Sequence, residues 1–145
     1  MSTYSFQDVT ASLSGPGGVI NLGYGAAVAE EGITITRVKK NTQTIGADGE
    51  GMNSLHAAKN GTMTFRLLQT SPENQQLMAM YDFQSLSATV WGQNVIVVEQ
   101  KASGDITTGR GCAFSKAADL PYKTVGGIME WAFDVIKIDG ILGAY

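Results

Sequence analysis

Four stretches of the chain alternate apolar and polar residues with a period of two. Val9, Ala11 and Leu13 alternate with Thr10 and Ser12. Ile33-Thr34-Ile35-Thr36-Arg37-Val38 repeats the pattern, as does Met63-Thr64-Phe65-Arg66-Leu67. Met129, Trp131, Phe133 and Val135 alternate with Glu130, Ala132 and Asp134, and this strand is expected to run on to about Ile138. Successive side chains of a strand point to opposite faces, so each stretch predicts a strand with one buried side. Ser14-Gly15-Pro16-Gly17-Gly18 reads as a turn, and Val19 to Leu22 resumes a strand, predicting a hairpin. Asn60-Gly61 marks a turn before Met63, because both positions accept positive φ. Gly23 to Gly32 is small and flexible in composition and ends in Glu30-Glu31.

The period changes once. Thr70-Ser71-Pro72-Glu73 breaks the alternation, with Ser71 as a cap, Pro72 at the first helical position and Glu73 complementing the dipole. Leu77, Met80, Tyr81 and Gln84 then follow helical spacing, so one helix is expected from about Pro72 to Leu86, its apolar stripe covering a sheet. Val90 to Val98, interrupted at Gly92-Gln93-Asn94, and Gly111 to Ser115 predict two more strands. Strands with one mid-chain helix predict a mainly β fold, a β-sandwich or partly rolled barrel with a flanking helix. The 145 residues form a single domain, 1–145, with a long extension at about 39–60 and no internal repeat.

Composition sharpens this picture. Only 16% of residues are charged, against ~25% in ordinary soluble domains, so either something other than charge keeps the chain soluble or partners cover much of its surface. The net charge of −3 and a single adjacent basic pair, Lys39-Lys40, argue against tight nucleic-acid binding. Cys112 stands alone, so no internal disulfide is expected. MSTYSFQDV does not read as a signal peptide, and no apolar run approaches the ~18 residues of a membrane span.

Candidate chemistry is sparse. Gly46-Ala47-Asp48-Gly49-Glu50-Gly51 is spaced like a phosphate loop but lacks the following Lys-Ser or Lys-Thr and the strand-to-helix context. Asp48 and Glu50 suggest calcium, yet Met52 falls where a further oxygen is needed, which leaves two solvated carboxylates or a weak ion site at a subunit contact. His56, the only histidine, has no G-x-S-x-G elbow to serve, and zinc would need carboxylates to complete its shell. It is expected to be a hydrogen-bonded residue at a contact. Cys112 reads as a small buried hydrophobe, and Trp131 and Tyr122 as core and surface packing. No catalytic residue, metal site or cofactor is assigned. What stands out is Lys39 to Asn60, glycine-rich and without an obvious element, and such a segment in a compact domain usually has a task.

Across essentially its whole length the chain resembles the tail tube proteins of contractile-tailed bacteriophages. YSFQDVTASLSGPGGVINLGYGA, AEEGITI, TIGADGEGMNSLHAAKNGTMTFRLLQTSPENQQL, VWGQN and EWAFDVIKIDGILGAY carry the likeness, and residues 101–127 carry less of it. The family is similar in turn to bacteriocin tubes and the type VI secretion tube protein. The resemblance implies a structural subunit, not an enzyme, forming stacked hexameric rings inside a contractile sheath. It implies a virion location after assembly in the host cytoplasm. The implied partners are further copies, the sheath, a baseplate or tube initiator and a tail terminator, with tape-measure protein and genomic DNA as transient cargo. Four strands from each of six subunits, ~4.8 Å apart and tilted ~40°, give a backbone diameter of ~48 Å and a clear bore of ~38 Å. On this reading Ile33–Val38 and Met63–Leu67 are inner-wall strands, with Thr34, Thr36, Thr62 and Thr64 lining the lumen. Arg37, Lys39, Lys40, Asp48, Glu50, His56 and Arg66 are contact candidates, Arg37 and Arg66 pairing with Asp48 or Glu50 of a neighbour. Lys39 to Asn60 is expected to reach the next ring and to order on stacking.

Overall fold

The computed structural model describes residues 2–145. After a 3-10 turn at Phe6–Asp8, ten strands and one α-helix follow in order: β1 Val9–Gly15, β2 Gly18–Asn21, β3 Val28–Arg37, β4 Asn41–Ile45, β5 Gly51–Leu55, β6 Gly61–Leu68, α1 Glu73–Gln84, β7 Asn94–Gln100, β8 Asp105–Phe114, β9 Ile128–Val135 and β10 Lys137–Ile141. Every pairing among them is antiparallel. The expected mainly β architecture with one helix is present.

β8 joins two sheets. Its first part pairs with β7 and β10, and the order there runs β10-β8-β7-β1-β2. Its last two residues, Ala113 and Phe114, pair with β9, which leads through β6 to β3. The strand turns the corner at Gly111, whose φ is +65° and which occupies a bulge between the Asn94–Cys112 and Val95–Arg110 pairs. A bulge bends a strand and increases its twist, and glycine is the residue that adopts this backbone without strain. Opposite it, β9 ends at Val135 and β10 begins at Lys137, with Ile136 as the corner. The two corners touch: a Cβ on Gly111 would lie 3.1 Å from the Ile136 Cβ. The sheets therefore fold over one another without closing, and β2 and β3 remain edges.

β3 begins at Val28, inside the stretch Gly23 to Gly32 read from composition as flexible, and three other strand limits differ from the sequence pattern for local reasons. The Met129 strand does not continue straight to Ile138, because the apolar period slips at Ile136 and Ile138 re-enters the core from another sheet. β8 begins at Asp105 rather than near Gly111, since Thr107 to Arg110 are held by a neighbour on each side and need no apolar signature. β7 runs from Asn94 to Gln100, the preceding Gly92 having φ +76°.

The core lies between the sheets. Trp131, Phe65, Phe133, Leu13, Leu22, Met63, Leu67, Leu77 and Ile96 are fully buried. Phe114 sits among four aromatic rings, with centroids 4.7 Å from Phe133, 5.6 Å from Tyr81, 6.1 Å from Trp131 and 6.4 Å from Trp91. α1 covers this core with Leu77 and Met80, and Asn74 and Gln84 are buried at its two ends. Each amide is spent on a specific partner. Trp131 Nε1 donates to Asn74 Oδ1 at 3.0 Å, while Asn74 donates to the Leu68 carbonyl at 2.9 Å. Gln84 and Asn94 exchange two hydrogen bonds, 2.7 and 2.9 Å, and Asn94 also donates to the Cys112 carbonyl at 3.1 Å. Buried amides need such partners, and they fix where both helix ends sit. Ser71 does not cap the helix: its hydroxyl is buried against the Ala26 carbonyl at 2.7 Å and the Glu73 carboxylate at 3.0 Å. The cap position falls on Pro72, which makes no side-chain capping bond.

Candidate functional site

The segment from Lys39 to Asn60 forms an antiparallel hairpin, β4 paired with β5 from Asn41–Leu55 to Ile45–Gly51. The sequence pattern signals no element there because neither strand has an apolar face to bury. β-branched Thr42, Thr44 and Ile45 favour extended backbone, and the turn supplies the rest. Gly46 N–H donates to the Glu50 carbonyl at 2.7 Å, Gly49 N–H to the Gly46 carbonyl at 3.0 Å, and Glu50 N–H to the Asp48 carboxylate at 3.1 Å. Gly49 has φ +89°. The glycine and carboxylate spacing that imitates a phosphate or calcium loop is thus the grammar of a hairpin turn.

The hairpin stands away from the body. From Arg37 to Asn60 every residue but Ser54 is exposed, and β4 and β5 pair only with each other. Leu55 is 82% exposed, Met52 60% and Ile45 58%. Its amides are internally occupied, Asn53 Oδ1 accepting from Gln43 at 3.2 Å and Asn41 at 3.3 Å. His56 lies at the root, its Nε2 2.7 Å from the Thr42 hydroxyl and its backbone N–H donating to the Lys40 carbonyl at 2.9 Å. Lys40 Nζ returns a bond to the His56 carbonyl at 2.7 Å. The root is tied to the body where Ile138 N–H donates to the Lys59 carbonyl at 2.8 Å and Val38 N–H to the Asn60 carbonyl at 3.2 Å.

The contact candidates therefore separate into two groups on the hairpin, with Arg66 elsewhere. Asp48 and Glu50 occupy the tip, and Arg37, Lys39, Lys40 and His56 the root. There Arg37, Lys40 and Lys59 line a cleft of about 350 Å³ together with Asn60, Asp139 and Gly140. Lys59 and the β10 residues were not recognisable as part of this site, since their approach depends on the corner at Ile136. Arg66 lies on the outer face of β6, where Nη1 donates to the Thr34 hydroxyl at 2.9 Å and Nε is 3.4 Å from the Glu130 carboxylate. Its charge already has a partner in its own chain.

Thr34, Thr36, Thr62 and Thr64 share the face on which Arg66 lies. Thr34 is directly opposite Thr64, and Thr36 opposite Thr62. β9 extends the face with Glu130, Ala132 and Asp134. The result is a hydroxyl-rich face that also carries one cation, two carboxylates and, at its end, the exposed pair Leu68 and Ile128.

Cys112 is fully buried, and burial pushes its thiol up to about 11, so the reactive thiolate is scarce at neutral pH. Among the described residues no three of His, Cys, Asp and Glu gather as metal ligands. Trp131 is core and Tyr122 surface.

Three solved structures share the fold. One described as the sheath/tube terminator of an extracellular contractile injection system, PVC, in its extended state is 9% identical with a TM-score of 0.63, covering 97% of this chain and 98% of its own. The sheath-tube complex of the PVC system is 10% identical, TM-score 0.57, covering 93% and 88%. The tube-terminating cap of the anti-feeding prophage is 6% identical, TM-score 0.55, covering 99% and 95%. No curated protein matches the chain in sequence. The profile of the bacteriophage PhiTE tail tube protein family, by contrast, matches residues 1–143. A fold with unclosed sheets and a projecting hairpin thus meets a sequence match over nearly the whole chain: the protein belongs to the bacteriophage PhiTE tail tube protein family, whose members are structural rather than enzymatic.

Proposed function

We propose that this chain forms hexameric rings that stack into a hollow tube within a contractile sheath, and that the tube conducts genomic DNA into the host. The match to a phage tail tube family over residues 1–143 carries this reading. The physical form supports it. β3 pairs on one side only, with β6, and β10 pairs only with β8. Exposed edges invite other chains, and a closed ring uses every edge it presents. Thr34, Thr36, Thr62 and Thr64 are the proposed lining. With Debye screening within ~8 Å at physiological salt, such a wall acts on DNA only near contact. The hairpin from Lys39 to Asn60 is the proposed reach to the next ring, with Arg37, Lys39, Lys40, Asp48, Glu50 and His56 at contacts; Arg66 is proposed for the wall.

The sheath, a terminator and a baseplate or initiator are the proposed partners, with tape-measure protein as further cargo and the virion tail as the location. Two of the similar structures are a sheath/tube terminator and a sheath-tube complex, in agreement with those partners. A second reading, a bacteriocin-type or secretion tube without DNA, draws on the likeness to structures from an extracellular contractile injection system.

Electron microscopy of the purified protein and of particles containing it tests the first reading. Six-fold rings or tubes, with this chain in the central pipe and nuclease-protected DNA in the particles, are expected. Tubes without DNA would select the second reading, and placement outside the pipe would overturn both.

A further inference from the structure

The charges of the hairpin are segregated. Between Asn41 and Leu55 the charged residues are Asp48 and Glu50, both in the turn, and neither forms an ion pair among the described residues. The Asp48 carboxylate is held in place by the Glu50 N–H at 3.1 Å. The root has the opposite sign. Arg37, Lys40 and Lys59 converge on one cleft, Lys39 flanks it, and the one carboxylate in its wall is Asp139. That carboxylate is already shared, 3.9 Å from Lys59 Nζ and 3.0 Å from Arg110 Nη1. Arg37 has no ion-pair partner among the described residues. The cleft thus carries excess positive charge and open volume.

From this geometry we infer that the cleft formed by Arg37, Lys40 and Lys59 receives the Asp48-Gly49-Glu50 tip of a second copy. The inference rests on the tube reading and specifies one of its contacts. The ribbon cannot satisfy its own root. At ~3.3 Å per residue the tip stands about 20 Å from the cleft, and paired β4 and β5 resist folding back on themselves. A tip that docks on the root of another copy can repeat from subunit to subunit, and such a head-to-tail contact extends into a ring or a filament as the tube reading requires. The turn is narrow, with glycines on both sides of the two carboxylates, so backbone as well as side chain can enter the cleft. Ile45 and Met52, exposed beside the tip, would be covered by the same contact. Arg66 has no part in it, because Glu130 and Thr34 hold it on the other face.

Two measurements test this. In the assembled wild-type protein, mixed from isotopically heavy and light chains, a zero-length carbodiimide reagent should join Asp48 or Glu50 to Lys40 or Lys59 in mixed-isotope pairs. Charge reversal gives the second. D48K/E50K and K40E/K59E each place like charges at the contact and should raise the concentration needed for assembly about tenfold or more. Mixed in equal amounts, each variant's tip meets the other's root with opposite charge, and assembly should return. All four residues are exposed, so circular dichroism should show both variants folded. Wild-type tubes that lack these cross-links, with both variants assembling at the wild-type concentration, would overturn the docking and leave the tube reading intact. Wild-type protein that stays monomeric at every concentration and salt tried would overturn both.

Discussion

The sandwich and the hairpin are built from the same extended backbone, yet their strands answer to different physics. In β6 and β9 every second residue is buried: Met63, Phe65 and Leu67 lie beside Phe133, Trp131 and Met129 on the inner face of one sheet. In β4 and β5 nine of ten residues are exposed, and the cross-strand pairs are Asn41–Leu55, Thr42–Ser54, Gln43–Asn53, Thr44–Met52 and Ile45–Gly51. An isolated two-stranded hairpin is marginal in water. The body therefore holds itself together, and the hairpin is completed by whatever it touches. The contrast teaches that exposure of Leu55, Met52 and Ile45 is a property of the single chain, which the proposed assembly would remove.

The sharpest attack on this contrast is at the core. Trp131→Ala removes the largest fully buried side chain and leaves Asn74 Oδ1 without its donor, so the isolated subunit should lose about 3–5 kcal/mol in chemical denaturation. Asn94→Ala comes next. It strips the Gln84 amide of a buried partner and should cost about 1–3 kcal/mol in the same assay. Gly111→Ala places a side chain at φ +65°, 3.1 Å from Ile136, and should cost about 1–2 kcal/mol by the backbone alone.

The hairpin should give the reverse result. Leu55→Ser should leave subunit stability within about 0.5 kcal/mol of wild type while weakening assembly, measured by sedimentation. A loss of subunit stability comparable to that of Asn94→Ala would show that the hairpin packs on its own body, and the contrast would fail.

Cys112 gives the gentlest probe. Its thiol stays protonated up to about pH 11 in the fold, whereas an unfolded thiol ionises near 8.5. The unfolded chain thus binds fewer protons than the native one between these values, and stability falls with rising pH there. Below pH 8 the contribution is constant. Cys112→Ala should flatten this part of the stability profile, and native protein at pH 8 should react with iodoacetamide far more slowly than unfolded protein.

Much of the body was legible because burial on one face leaves a period of two. The strands at Val9, Ile33, Met63 and Met129 were visible in that way, as was a helix by its change of period. The contact candidates were visible only as unusual residues. Lys39-Lys40, Asp48, Glu50 and His56 could be picked out by charge or scarcity, but the letters do not say that acid and base sit at opposite ends of one ribbon. Ser71 was misread as a cap because the favoured residue type was present, while the Ala26 carbonyl that claims its hydroxyl lies 45 residues away in sequence.

Local patterning, then, determined the β class, the helix and the turns, since these follow from each residue's own backbone preference and from which neighbours it can bury with. Tertiary structure decided where the strands bend, at Gly111 and Ile136, which carries β10 beside the hairpin root. It also paired Arg66 with Glu130 and gathered Arg37, Lys40 and Lys59 into one cleft. Those outcomes depend on contacts between residues far apart in the chain, and a Coulomb or packing energy is a function of distance in space, which no sequence spacing contains.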